Sequence, residues 1–164
     1  VLEMAKRRPE IDFMLVGADG EDNSVEALAR PLSNVRVLPW QSYRDLPTFL
    51  YASDVLLIPP TLVALNKAKN TILPMKLFQY LAAGRAIFAP VAPDTAELLS
   101  HDDNALLVAP DDLDAACVGL DRLAGDEALR QRLGSAAATL ARDLTWQARS
   151  KKILEFLAER LARR

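Results

Sequence analysis

At 164 residues the chain has the size of one domain, and with 51% hydrophobic residues it can bury a full core. A net charge of -2 gives no global attraction to nucleic acid or to an anionic lipid surface, one cysteine (Cys117) excludes an internal disulfide, and one histidine (His101) has no partner cluster with which to hold a metal. No apolar run approaches the roughly 20 residues that cross a bilayer, and no charged-then-apolar leader precedes the first strand, so the cytoplasm is the expected compartment.

Val1 to Arg8 reads as the end of a helix, and Ile11 to Val16 as a buried strand. Gly17-Ala18-Asp19-Gly20 closes that strand as a turn whose glycines permit positive φ and a close backbone approach. Asn23 or Ser24 caps a helix over Val25 to Arg30, and Val35 to Leu38 forms the next strand. Pro39 and Trp40 follow at its carboxyl end, the edge where open α/β sheets bind ligands. Trp40 there either lies against a nucleobase or packs between sheet and helix. A short helix over Leu46 to Ser53 leads to a strand over Asp54 to Ile58, which Pro59-Pro60-Thr61 ends as a loop bordering a cleft. From Leu62 to Thr71 no strong period is present; Asn66, Lys67 and Lys69 either approach phosphates or face water, and Asn70 and Thr71 stand next to the following helix start.

That start is the most informative stretch of the chain. In NTILPMKLFQYLAAGRAIFAP, Asn70 to Pro90, Pro74 suits the first helical turn because its missing N–H costs nothing there. Leu77 and Leu81 then share one face, and Lys76 and Gln79 another. Gly84 reads as the left-handed stop, and Ala86 to Ala89 as a strand covered on both faces. A helix start favours an anion in front of Met75 and Lys76, the ammonium of Lys76 adds its own attraction, and Gln79 can both donate to and accept from paired hydroxyls. The spacing is equally that of an amphipathic helix with its polar stripe in water.

Farther on, Asp94 to Glu97 suggests a short capped helix, Ala105 to Val108 the last strand, and Asp111 and Asp112 the start of a helix to Leu123 that buries Cys117 as a small hydrophobe. A helix from Gly125-Asp126 to about Arg142 follows. The last helix begins at Thr145 and mixes Lys151, Lys152, Arg160, Arg163 and Arg164 with Ile153, Leu154, Phe156, Leu157 and Leu161. It reads as core-facing, with rest on a membrane surface as the alternative. Five strands alternating with helices predict an α/β domain with a Rossmann-like, doubly wound parallel sheet. No Gly-x-Gly-x-x-Gly follows any strand, against a dinucleotide oxidoreductase.

The run PMKLFQYLAAGRAIFAP resembles the donor-site motif of group 1, GT-B type glycosyltransferases, written roughly Pro-x-Lys-Leu-Phe-Glu-Tyr-Met-Ala-Ala-Gly-x-Pro. VRVLPWQSYRDLPTFLYASDVLLIPP upstream and the Pro93 to Pro110 segment downstream follow the same layout, so the resemblance covers nearly all of residues 1–164. Met-Lys-x-x-Gln is similar to the uridine-diphosphate site of xanthan-type glucuronosyltransferases. The resemblance implies the carboxyl-terminal, donor-binding domain of a longer enzyme, lacking the family's first strand and its acceptor domain. By the same resemblance Lys76 is the catalytic group, neutralising the diphosphate as it leaves, and Gln79 holds the ribose. Gly17, Pro39, Trp40, Thr61, Asn70, Thr71 and Met75 line the donor, while Thr71 and Gln79 stand where many members carry two glutamates. The implied partners are a nucleotide-sugar donor, with a UDP-sugar favoured, and a saccharide or lipid-linked acceptor. No metal or other cofactor and no nucleic acid is expected, and peripheral contact with the inner face of the membrane would come through the absent domain or the last helix. The alternatives are a nucleotide-sugar 2-epimerase of the same architecture, which a lone His101 disfavours, and a non-catalytic nucleotide- or partner-binding domain.

Overall fold

The computed structural model describes residues 1–18, 23–63, 66 and 73–162. Two parallel sheets form. β1 (Phe13–Ala18) pairs with β2 (Val35–Pro39), Phe13 opposite Val35 and Val16 opposite Leu38. β3 (Val55–Leu57), β4 (Ala86–Pro90) and β5 (Leu106–Val108) pair in that order. The five expected strands are therefore present, but in two sheets rather than one: β1 and β3 each end a sheet, and no ladder joins them. What unites the two is a shared core, in which Phe13 of β1 and Val35 of β2 meet Val55 and Leu57 of β3.

β4 explains why the larger sheet is doubly wound. All five of its residues are buried. Side chains alternate across a strand, so Ala86 and Phe88 enter one core and Ile87 and Ala89 the other. The first core is covered by α1 (Leu2–Arg7) and α5 (Leu113–Gly125), through Met4, Ala5, Ala116, Cys117, Leu120 and Leu123. The second is covered by α4 (Lys76–Ala83), through Leu77 and Leu81, and by the carboxyl half of α6 (Glu127–Arg142), whose Leu129 and Leu133 reach back into the first core. Cys117 is buried among these apolar groups, as its helical setting predicts.

Helix boundaries follow local chemistry. The carboxylates of Asp112 and Asp126 accept from the N–H groups of Ala115 and Leu129 at 2.9 and 2.8 Å, capping α5 and α6. Asp94 likewise caps a single 3-10 turn, Thr95–Glu97. Gly84 ends α4 in the left-handed region at φ +65. Beside it Gly134 of α6 packs so closely that a Cβ there would stand 2.2 Å from the Gly84 carbonyl oxygen.

Three expectations are corrected. β1 runs on through Gly17 and Ala18, so Gly17 is not the first residue of a turn: it is the extra residue of a bulge between the Val16–Leu38 and Ala18–Pro39 pairs, at φ +108. Pairing with β2 carries the strand past the glycine. The helix α2 (Asn23–Ala29) begins at the residue expected to cap it. Finally, α7 (Trp146–Ala162), started by the Thr145 hydroxyl accepting from the Ala148 N–H at 3.1 Å, has no buried residue at all, so it does not face the core.

Candidate functional site

In a parallel sheet every strand ends at the same edge, and each crossover helix returns with its N-terminus at that edge. Gly17 lies one residue before the end of β1, Pro39 ends β2 with Trp40 next, Pro59-Pro60-Thr61 follow β3, and α4, on the crossover from β3 to β4, opens with Met75 and Lys76. Topology thus places Gly17, Pro39 and Trp40 at the carboxyl edge of the β1–β2 sheet, and Thr61, Met75 and Lys76 at that of the β3–β4–β5 sheet, with Gln79 one turn along α4. Asn70 and Thr71 lie outside the described residues.

The start of α4 is built by Pro74. Its carbonyl accepts from the Leu77 N–H at 2.9 Å and that of Met75 from Phe78 at 3.3 Å, so a tight first turn precedes the regular helix. Met75 occupies the cap position in helical conformation and no side chain caps it. Met75 is 75% exposed, Lys76 is exposed and Gln79 is half-buried. Leu77 and Leu81 anchor the opposite face in the core, so Lys76 and Gln79 are held to the outside of a fixed helix. Lys76 is exposed as a residue, and partial desolvation of its ammonium lowers its pKa below the usual 10.5. Burial raises the pKa of the Tyr80 phenol, one turn on.

On the β1–β2 side, Trp40 is 68% exposed, which removes the reading in which it packs between sheet and helix and leaves its ring open to a ligand. Among the described residues no atom lies within 4 Å of where a Cβ on Gly17 would stand, and its φ of +108 by itself favours glycine. On the β3 side, the loop carrying Thr61 is pinned. The Thr61 N–H donates to Pro59 O at 2.8 Å, the Val63 N–H to the Thr61 hydroxyl at 3.3 Å, and the Leu62 N–H to Asp111 Oδ2 at 3.4 Å. Asp111, beyond the end of β5, is a participant that the sequence marks only as part of a helix start. Its signal was the pair Asp111-Asp112, of which one alone can cap α5. His101 lies elsewhere, at the amino end of β5, its Nδ1 accepting from the Leu107 N–H at 3.1 Å. No group of three or more His, Cys, Asp or Glu able to hold a metal ion occurs among the described residues. No helix among them is long and apolar enough to cross a membrane.

Two parallel sheets sharing a core, with an uncapped, lysine-bearing helix start at their carboxyl edge, define a Rossmann-like domain of the kind that forms the carboxyl-terminal half of GT-B glycosyltransferases. The family described as glycosyl transferase-like matches residues 1–155, and the chain belongs to it. It is 26% identical over 160 residues to TuaH of Bacillus subtilis, whose name assigns it, as a glycosyltransferase, to teichuronic acid biosynthesis; the match covers 95% of this chain and 38% of TuaH. Among solved structures, sucrose-phosphate synthase from Thermosynechococcus elongatus superposes with a TM-score of 0.76 at 18% identity, over 99% of this chain and 43% of that one. HepE from Anabaena, in complex with UDP-glucose, superposes at 0.70 and 19% identity, over 96% of this chain and 44% of that one. The chain therefore spans less than half the length of each.

Proposed function

We propose that this chain is the donor-binding half of a retaining glycosyltransferase that takes a UDP-sugar and transfers its glycosyl group to a saccharide or lipid-linked acceptor. The observation that carries the reading is the start of α4, where Lys76 and an uncapped helix end stand together at the carboxyl edge of the sheets. HepE, of the same fold, binds UDP-glucose, and the name of TuaH refers to polysaccharide synthesis; both support the class of donor and product.

In this proposal the diphosphate lies in front of Met75 and Lys76. As the bond between the anomeric carbon and the diphosphate oxygen breaks, the electron pair passes to the leaving oxygen. Lys76 and the helix end stabilise the charge that develops there, and water is not needed to do so. The acceptor oxygen forms the new bond to the anomeric carbon, and its proton leaves to groups outside these 164 residues. Gln79, one turn along, holds the ribose hydroxyls, Trp40 and Pro39 flank the base, Gly17 leaves the backbone open beside the donor, and Thr61, Asn70 and Thr71 line the phosphate and sugar. No metal or other cofactor takes part.

A further parallel strand, from outside these residues, belongs in this proposal between β1 and β3, and an acceptor domain beyond it. The unpaired ends of the two sheets and the partial coverage of the relatives support both. The enzyme works in the cytoplasm, with peripheral membrane contact through the apolar side of α7, where Arg149 and Arg160 stack on Trp146 and Phe156.

Calorimetry with UDP, GDP, ADP and NAD tests the reading on the full-length protein and its Lys76→Ala variant. Saturable binding of UDP that weakens about tenfold in the variant, ~1.4 kcal/mol, is expected. Binding of no nucleotide by the wild-type protein refutes it, and binding without sugar transfer to any acceptor favours the non-catalytic alternative.

A further inference from the structure

We infer that Asp111 is a positioning residue for the donor site, a clamp reaching over the end of β4 that fixes the loop after β3 and hence Thr61. The inference rests on the nucleotide-sugar reading above. The loop runs Pro59-Pro60-Thr61-Leu62-Val63 and enters the stretch of sequence leading to Asn70 and Thr71. Its prolines have no N–H, which leaves three backbone donors. Thr61 and Val63 find acceptors within the loop, at 2.8 and 3.3 Å; Leu62 does not, and donates instead to Asp111 Oδ2 at 3.4 Å. In the other direction the Asp111 N–H donates to Pro60 O at 2.9 Å. Asp111 therefore grips the loop on both its N–H and its C=O side, from 49 residues away.

Two features set this residue apart from an ordinary helix start. The capping of α5 is performed by Asp112, whose Oδ1 accepts from the Ala115 N–H at 2.9 Å, so the carboxylate of Asp111 is not used there. Asp111 also has φ +59, one of two non-glycine residues with positive φ among those described. That conformation disfavours a side chain, aspartate tolerates it better than most, and it persists where surrounding contacts require it. Here the requirement is the pair of bonds to Pro60 and Leu62. The loop end of β3 and the end of β5 thus move as one piece.

The test compares Asp111→Gly, Asp111→Asn and Asp111→Ala in the full-length protein. Glycine keeps the backbone conformation without strain and deletes the carboxylate; asparagine keeps both the conformation and an acceptor oxygen. Amide exchange across residues 59–63 reads the clamp, and titrations with UDP and with UDP-glucose read the site. In Asp111→Gly, exchange at Leu62 is expected to quicken about three- to tenfold and UDP-glucose affinity to fall by a similar factor, with UDP affinity changing less and melting temperature not lowered. Asp111→Asn should restore both, and Asp111→Ala should show the glycine losses together with a lower melting temperature. Unchanged exchange at Leu62 in Asp111→Gly overturns the clamp, as does an asparagine variant no better than glycine. Unchanged UDP-glucose affinity despite faster exchange overturns its role in the site. If the wild-type protein binds no nucleotide, the functional reading falls and this role with it, and exchange at Leu62 tells that failure apart from a false clamp.

Discussion

The two sheets of this chain are held together in different ways. β4 is buried along its whole length, with helices on both faces of its sheet and Ala86, Ile87, Phe88 and Ala89 shared between two cores. β2 has no fully buried residue, α3 (Leu46–Ala52) has none, and of residues 25–29 of α2 only Ala29 is buried. The sheet around β4 has the coverage that parallel strands need; the β1–β2 pair borrows it, through Phe13 and Val35, from the core of its larger neighbour. The proposed donor site straddles the two, with Lys76 on the well-packed side and Trp40 on the sparsely packed one. In that proposal the diphosphate meets the well-packed half and the base the sparsely packed one.

Mutations can sharpen or break this comparison. The largest loss of stability is expected for Phe88→Ala, about 3–5 kcal/mol by urea denaturation, because the ring is wholly buried where β4 meets α5. Gly134→Ala should cost about 3 kcal/mol. Its methyl group would meet rigid backbone, the Gly84 oxygen at 2.2 Å and the Gly84 carbonyl carbon at 2.9 Å, and α4 could give way only by leaving its seat on Leu77 and Leu81. Val37→Ala in β2 should cost about 1 kcal/mol, since that side chain is only half-buried. A loss at Val37 as large as at Phe88 would abolish the distinction drawn between the two halves.

The smallest effect on stability and the clearest on binding is expected at Lys76. Its folded pKa lies below the ordinary lysine value, so the folded state releases this proton at a lower pH than the unfolded chain does. Between the lowered pKa and 10.5, stability should therefore rise with pH on account of this group, while attraction for a diphosphate falls as the ammonium is lost. Titration of UDP at increasing alkaline pH should show affinity declining before ordinary lysines titrate. The decline should be absent in Lys76→Arg, whose charge persists. A decline of the same shape in Lys76→Arg would assign it to another group.

Much of the layout was legible in the sequence because it is written locally. Pro74 and Gly84 bracket α4, Leu77 and Leu81 mark its buried face, and Asp94, Asp112 and Asp126 each cap the helical turn that begins beside them. The features that could not be read depend on partners distant in the chain. Gly17-Ala18-Asp19-Gly20 has the composition of a turn, and pairing with β2 overrides it for the first two residues. The apolar stripe of α7 looks the same whether it meets a core or another surface, and its sequence alone favoured the wrong one. Asp111 looked redundant beside Asp112 because its hydrogen-bond partner is in a loop 49 residues earlier.

β1 and β3 end different sheets yet rest on one core, so the two edges belong to the same molecule. A strand seated between them would gain hydrogen-bond partners on both sides at once, whereas a strand added beside β2 or β5 would gain them on one side only. The fold therefore favours insertion over addition: one segment docked between the sheets closes two ladders and welds five strands into a single sheet of six.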